Sequence, residues 1–201
     1  MSTDAHQAAP SALDAVRRGE ILADVAALRD SFDAGTTRPL EARIAQLDAL
    51  ARGLRAERPR LLKALELDLG KSRTESLITE LGVVAQEIAH LRKNLRAWLR
   101  PERFGPGLLL APSSGQIRRE PLGTTLIISP WNYPVNLALA PLIGAIAGGN
   151  TALLKPSEVA PATSAALARL VRAHLDPAWV RVVEGAVEET KIGRASCRER
   201  V

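Results

Sequence analysis

The sequence predicts an α/β protein in three parts: a helical N-terminal segment, a β-hairpin arm and an incomplete parallel sheet. Three observations carry that reading. From about residue 20 to residue 100, Leu, Ile and Val recur at spacings of three and four, the period of helices with one buried face. Residues 120 to 160, EPLGTTLIISPWNYPVNLALAPLIGAIAGGNTALLKPSEVA, read as strand, turn, helix, strand and turn. The first strand there is an apolar, β-branched run without polar alternation, which suits a strand buried on both faces of a parallel sheet.

Composition narrows the class. The 201 residues are 46% hydrophobic but only 3% aromatic, so a core must be built from Leu, Ala, Val and Ile. Mean hydropathy is near zero, as in soluble globular proteins. Residues 1 to 19 are polar and Ala-rich without sustained periodicity, which predicts a disordered leader. They hold no apolar run of the signal-peptide kind. The longest apolar run, Leu137 to Gly149, is interrupted by Pro141 and too short to span a bilayer, so a cytoplasmic location is expected and no membrane partner.

The net charge of +5 is unevenly placed. Residues 191 to 201, KIGRASCRERV, carry four basic residues against Glu199, a net +3, which leaves +2 for residues 1 to 190. From Ile192 onward that tail matches one reading frame of a common sequencing adapter whose next codon is a stop. It is therefore read as foreign to the fold, the competing account being a genuine basic terminus. The chain's one cysteine, Cys197, lies in it.

In chain order, Ile21, Val25, Leu28 and Phe32 mark a first amphipathic helix, broken at Asp33–Thr37. Leu40, Ile44, Leu47, Leu50 and Leu54 mark a second. Pro59 suits the first turn of a third, carrying Leu61 or Leu62, Leu65 and Leu69 and closed by Gly70. Thr74 to about Arg100 predicts one long helix with a stripe of Leu77, Leu81, Val84, Ile88, Leu91, Leu95 and Trp98, packed on a core rather than on a second coil. Arg92, Lys93, Arg96, Arg100 and Arg103 cluster at its end; without interleaved aromatics they read as a solvated face, and no nucleic-acid partner is expected. Pro101 to Gly107 reads as a linker, then Leu108 to Leu110 and Gln116 to Glu120 as the two strands of the arm, residues 108–121 in all. Thr124 to Ser129 and Thr151 to Lys155 are strands around a buried helix from Asn136 to Ala147, which Gly148-Gly149-Asn150 end. Pro161 to His174 is a further helix, Trp179 to Val183 a further strand, and Gly185 to Thr190 the turn into a next helix.

Two strands joined by a helix form a βαβ unit, whose ligands bind beyond the carboxyl ends of the strands. Beyond the first strand comes SPWNYP, a turn stiffened by two prolines; beyond the second comes KPSE. PWNYP, GAIAGGN and LLKPSE, in that order and with Lys155 following Asn132 by 23 positions, resemble the aldehyde dehydrogenase superfamily. GKSRTESLITELGVVAQEI upstream makes the likeness closest to its class 3 branch, over about residues 40 to 190.

That resemblance implies the rest. The sheet becomes part of a Rossmann-like variant that binds NAD or NADP without GxGxxG after its first strand, in a partial dinucleotide-binding domain over residues 122–190. The arm bridges subunits, so a homodimer is implied, with a small-molecule aldehyde as substrate. Oxidation to the carboxylic acid would run through a cysteine thiohemiacetal and hydride transfer. The Asn132 amide would hold the oxyanion, since a neutral NH2 donates without changing protonation state. Ser129, Pro130 and Trp131 would line the nicotinamide-ribose side of the cofactor, and Lys155 and Glu158, with Ser157, would hold the adenosine ribose. Gly185 and Glu188 are weaker candidates for cofactor contact.

Each residue also has a plainer account. Asn132 could bond its own turn, Pro130 and Trp131 could plug the strand end, and Lys155 and Glu158 could be a surface ion pair. His6, His90 and His174 show no metal-ligand spacing. The family's glycine-rich loop and its segments carrying the base and the nucleophile are not found in residues 1 to 190, and RASCRER matches none of them. The polypeptide is therefore expected to be the N-terminal part of such an enzyme and inactive by itself. A non-catalytic dinucleotide-binding or subunit-interaction module is the alternative.

Overall fold

A computed structural model describes residues 12–105, 107, 109, 112–185 and 192. Its centre is a parallel sheet of β3 (Thr124–Ile128), β4 (Thr151–Lys155) and β5 (Val180–Val182), in the order β3-β4-β5. Helix α6 (Asn136–Gly148) joins β3 to β4, and α7 (Pro161–His174) joins β4 to β5. Thr124 pairs with Thr151 and Ile128 with Lys155, so the two strands end level at their carboxyl edge.

The sheet is covered unequally. Helix α1 (Ala12–Asp33) lays Ile21, Val25 and Leu28 against Leu153 and Val183 on one face. Helices α6 and α7 cover the other, and behind them pack α2 (Leu40–Ala56), α3 (Arg58–Leu69) and α5 (Gly82–Trp98). Leu47, Leu50, Leu61, Leu65, Leu139, Leu142, Ile143, Ile146, Leu154 and Leu167 are fully buried in that layer, which is the aliphatic core the composition requires. Burying one Leu stabilises a fold by roughly 1.5–3 kcal/mol, so this layer dominates the stability.

Helices α2, α3, α6 and α7 follow the predicted bounds closely, with Pro59 in the first turn of α3 and Gly70 closing it. Gly149 ends α6 at φ 80° because two constraints meet there. The backbone is left-handed, and a Cβ would lie 2.5 Å from the guanidinium of buried Arg43. Arg43 in turn donates to the carbonyls of Thr37, Arg38 and Ala147, the last in the final turn of α6. Burial lowers its guanidinium pKa from the ordinary value.

Five expectations need correction. The leader is helical from Ala12, because one nucleated helix extends toward its N-terminus at little cost. The long helix is unbroken but not α-helical throughout: α4 (Arg73–Ser76), capped by the Ser72 side chain, runs through a π turn over Leu77–Leu81 into α5. Trp98 is 45% exposed, and Leu99 packs on the core in its place. The first arm strand, β1 (Glu102–Phe104), lies in the segment read as a linker, paired antiparallel with β2 (Gly115–Ile117); the pairing Glu102 with Ile117 also shortens the second strand. Leu108, Leu110 and Ala111 lie outside the described residues.

The fifth concerns β3, which is not buried on both faces. It is an edge strand of this sheet, and Ile128 is 45% exposed, whereas all five residues of β4 are buried. Helix α6 is likewise buried on one side only, with Leu137, Pro141 and Gly144 open to solvent. The helix expected after Gly185 and the tail read as foreign lie outside the described residues, except for Ile192.

Candidate functional site

The hydrogen-bonded ladder between β3 and β4 continues one step past the strands. Ser129 N–H donates to the Lys155 carbonyl at 3.1 Å, and from there the chains diverge into the two proline-bounded turns. Ser129, Pro130, Trp131 and Asn132 thus stand at the end of one strand, and Lys155, Ser157 and Glu158 at the end of its neighbour. The sequence-predicted residues are brought to one edge of the sheet.

Their environments differ. Ser129 is buried, and its hydroxyl has no hydrogen-bond partner among the described residues. Pro130, Trp131, Asn132 and Tyr133 are exposed, then Pro134 and Val135 turn back into the core. Lys155 is 4% exposed and forms an ion pair with Glu158, whose carboxyl is more open. The Lys155 hydrogen bond, a backbone N–H and the ammonium charge hold the Glu158 carboxyl below its ordinary pKa, against an opposing push from burial. Ser157 is buried, and its hydroxyl accepts from Val159 N–H at 3.3 Å, which closes the turn. Gly185 follows β5 in the described chain; Glu188 lies outside it.

Two residues that sequence reasoning missed support the Asn132 turn from below. Lys71 donates to the Asn132 carbonyl at 3.1 Å and lies 4.0 Å over the Tyr133 ring. It is also paired at 2.5 Å with Glu80, which is fully buried. The signal was available in the sequence: Glu80 stands three residues after Leu77 and four before Val84, inside an apolar stripe, where a carboxylate needs partners.

A cleft of about 680 Å³ opens between α3 and the Gly70–Arg73 segment, but it contains none of the sequence-predicted residues. The strand ends, where proline-stiffened turns and buried polar groups converge, are the better candidate. Among the described residues no group of three His, Cys, Asp or Glu could hold a metal ion, and no helix is long and apolar enough to cross a membrane.

Comparison with known proteins bears on this arrangement. The family model described as "Aldehyde dehydrogenase family" matches residues 5–199. The chain belongs to the aldehyde dehydrogenase family. Aldehyde dehydrogenase family 3 member H1 of Arabidopsis thaliana is 47% identical over 166 residues, covering 83% of this chain and 34% of that protein. Family 3 member B1 of Homo sapiens is 44% identical over 163 residues, covering 81% and 35%. These relatives agree with the class 3 resemblance.

Among solved aldehyde dehydrogenases, the substrate-bound state of Staphylococcus aureus AldH superposes with a TM-score of 0.83 at 37% identity, covering 85% of this chain and 37% of that one. An apo indole-3-acetaldehyde dehydrogenase superposes with a TM-score of 0.76 at 27% identity, covering 88% and 42%. The partial parallel sheet is thus the aldehyde dehydrogenase fold. The chain spans about a third of the length of the curated relatives it matches.

Proposed function

We propose that this segment supplies the oxyanion-holding amide and part of the nucleotide-binding edge of an NAD- or NADP-dependent enzyme that oxidises an aldehyde to a carboxylic acid. The observation that carries the reading is the level ending of β3 and β4, which puts Asn132 and the Lys155–Glu158 pair on one edge of one sheet. The donor set suits a nucleotide. The Ser129 hydroxyl is buried beside the turn and unsatisfied among the described residues, and Lys155 and Glu158 offer a cation and an ionised acceptor to vicinal hydroxyls. When bound, the nicotinamide ring supplies the hydride acceptor.

The chain's own residues then have separate tasks. The exposed Asn132 amide donates to the oxygen on which charge develops as a nucleophile adds to the aldehyde carbon. Removing one such donor typically costs about 10²–10³ in kcat. Lys155 and Glu158 orient the ribose, and the Pro130–Trp131 segment shields the nicotinamide side. The 201 residues contain a single cysteine, Cys197 in RASCRER, with no partner pattern for a nucleophile, so the polypeptide by itself does not turn over aldehyde. The β1–β2 arm is the segment assigned to a homodimer contact.

Calorimetric titration of the polypeptide with NAD and NADP tests the nucleotide edge: Lys155→Ala should weaken binding by about tenfold, the loss of one charge-assisted hydrogen bond. In the full-length chain, Asn132→Ala should lower kcat by about 10²-fold with nucleotide affinity unchanged. A polypeptide that binds neither nucleotide, or an Asn132→Ala enzyme with full kcat, would overturn the reading. Aldehyde-dependent NADH formation by the purified polypeptide would overturn its assignment as a binding segment alone.

A further inference from the structure

We propose that Lys71 and Glu80 act as a positioning couple that fixes the turn carrying Asn132; this rests on the role given to Asn132 above. The couple grips the turn on both sides. Glu80 uses both carboxylate oxygens: one accepts from Lys71 at 2.5 Å, the other from the backbone N–H groups of Val135 at 3.1 Å and Asn136 at 2.8 Å. Those amides open α6, whose N-terminal dipole favours a carboxylate. Lys71 reaches the other side, donating to the Asn132 carbonyl at 3.1 Å and lying over the Tyr133 ring. A third tie runs from the Asn136 side-chain amide to the Thr79 carbonyl at 3.3 Å.

Fold stability alone does not account for this arrangement. Glu80 is 0% exposed and Lys71 9%, and removing two charges from water costs about as much as their attraction returns. A pair of well-packed apolar side chains could join α4, the π turn and α6, but it would leave the Val135 and Asn136 N–H groups without this acceptor and would not direct the turn. What the ion pair adds is direction: it locates the backbone at residue 132 and at residues 135 and 136 relative to one rigid point. Residues 131 to 133 between them are exposed and gain little from packing. An amide donor must stand about 2.7–3.1 Å from the oxyanion to be effective, and this anchoring holds the turn at that distance.

The test is a double-mutant cycle in the full-length chain. Glu80→Ala and Lys71→Met should each lower kcat by about tenfold or more, with nucleotide Kd changed less than about twofold. Glu80→Gln keeps an acceptor for Val135 and Asn136 and should recover most of that loss. In an Asn132→Ala background, Glu80→Ala should cost less than about a further twofold, because the amide it positions is gone. An equal loss in both backgrounds would mean a general structural role and would overturn the proposal; so would full kcat in Glu80→Ala. A silent Asn132→Ala would instead defeat the function proposed for Asn132.

Amide hydrogen exchange decides the positioning couple independently of turnover. Glu80→Ala should speed exchange at Val135 and Asn136 while Ala152 and Leu154 in β4 keep their protection. Uniform loss across the sheet, or no change at Val135 and Asn136, would sink the idea.

Discussion

At the scale of single residues, Glu57, between α2 and α3, stands among Arg60, Arg169 and His174. Burial pushes its carboxyl pKa up, but the hydrogen bond and charge of Arg60, the charge of Arg169 and the His174 ring 3.6 Å away outweigh that and hold it below the ordinary value. A depressed carboxylate stabilises the fold above its unfolded pKa of about 4.3, and that contribution is lost as pH falls through the lower folded value. Its cationic partners are largely open to solvent, so the contribution is only about 1 kcal/mol. Glu57→Gln should lower the urea midpoint at neutral pH accordingly, and the gap from the unsubstituted chain should close as pH is lowered from about 5 toward 2. A gap that stays constant over that range would show that Glu57 works through packing. Residue-scale legibility follows from sequence distance. The positions of Asn132, Lys155 and Glu158 at the carboxyl ends of two strands are readable because each stands at or shortly past a strand end and belongs to a short motif. Lys71 and Glu80 reach across 61 and 55 residues to their backbone partners, and no local pattern records such a pairing.

At the scale of elements, the π turn over Leu77–Leu81 is the feature that helical periodicity could not disclose. One residue added to a turn leaves the three-and-four spacing nearly intact. The turn depends on Gly82, whose N–H bonds to the Leu77 carbonyl and whose Cβ, if present, would lie 2.6 Å from that oxygen. Ala is the better helix former by about 1 kcal/mol, yet Gly82→Ala should destabilise the chain by about 1–3 kcal/mol because the contact must be relieved. Denaturant unfolding reads this directly, and a stabilised variant would mean that the π turn converts to ordinary helix at no cost. The arm was misplaced for a related reason. Glu102–Phe104 is charged and short, with Pro101 before it and Gly105 after it, so its local composition says linker; only the pairing with Gly115–Ile117 makes it a strand.

At the scale of the whole molecule, the helical segment and the strand–helix–strand order of the sheet were readable from the sequence because the N-terminal helices carry apolar stripes and β4 none of the polar alternation of an open sheet. The exposure of β3 was not readable, since nothing in TTLII distinguishes an edge strand from a central one. How the helical segment is joined to the sheet also escaped the sequence, and it has a practical consequence. Glu80 receives the first amides of α6, and Asp68 receives those of Ala162 and Thr163 at 3.2 and 2.7 Å at the start of α7. Both crossover helices are therefore finished by carboxylates that arrive from outside the sheet domain. A clone that begins near residue 120 would leave buried donors without acceptors at both places, each at a cost of about 1–3 kcal/mol, besides uncovering the apolar backs of the two helices. Such a clone should show no cooperative melting, whereas one that begins at residue 12 should; a sharp transition in the shorter product would show that the boundary near residue 107 divides two independent folding units. What looks like a detachable preface is, in the laboratory, the half of the recipe that cannot be left out.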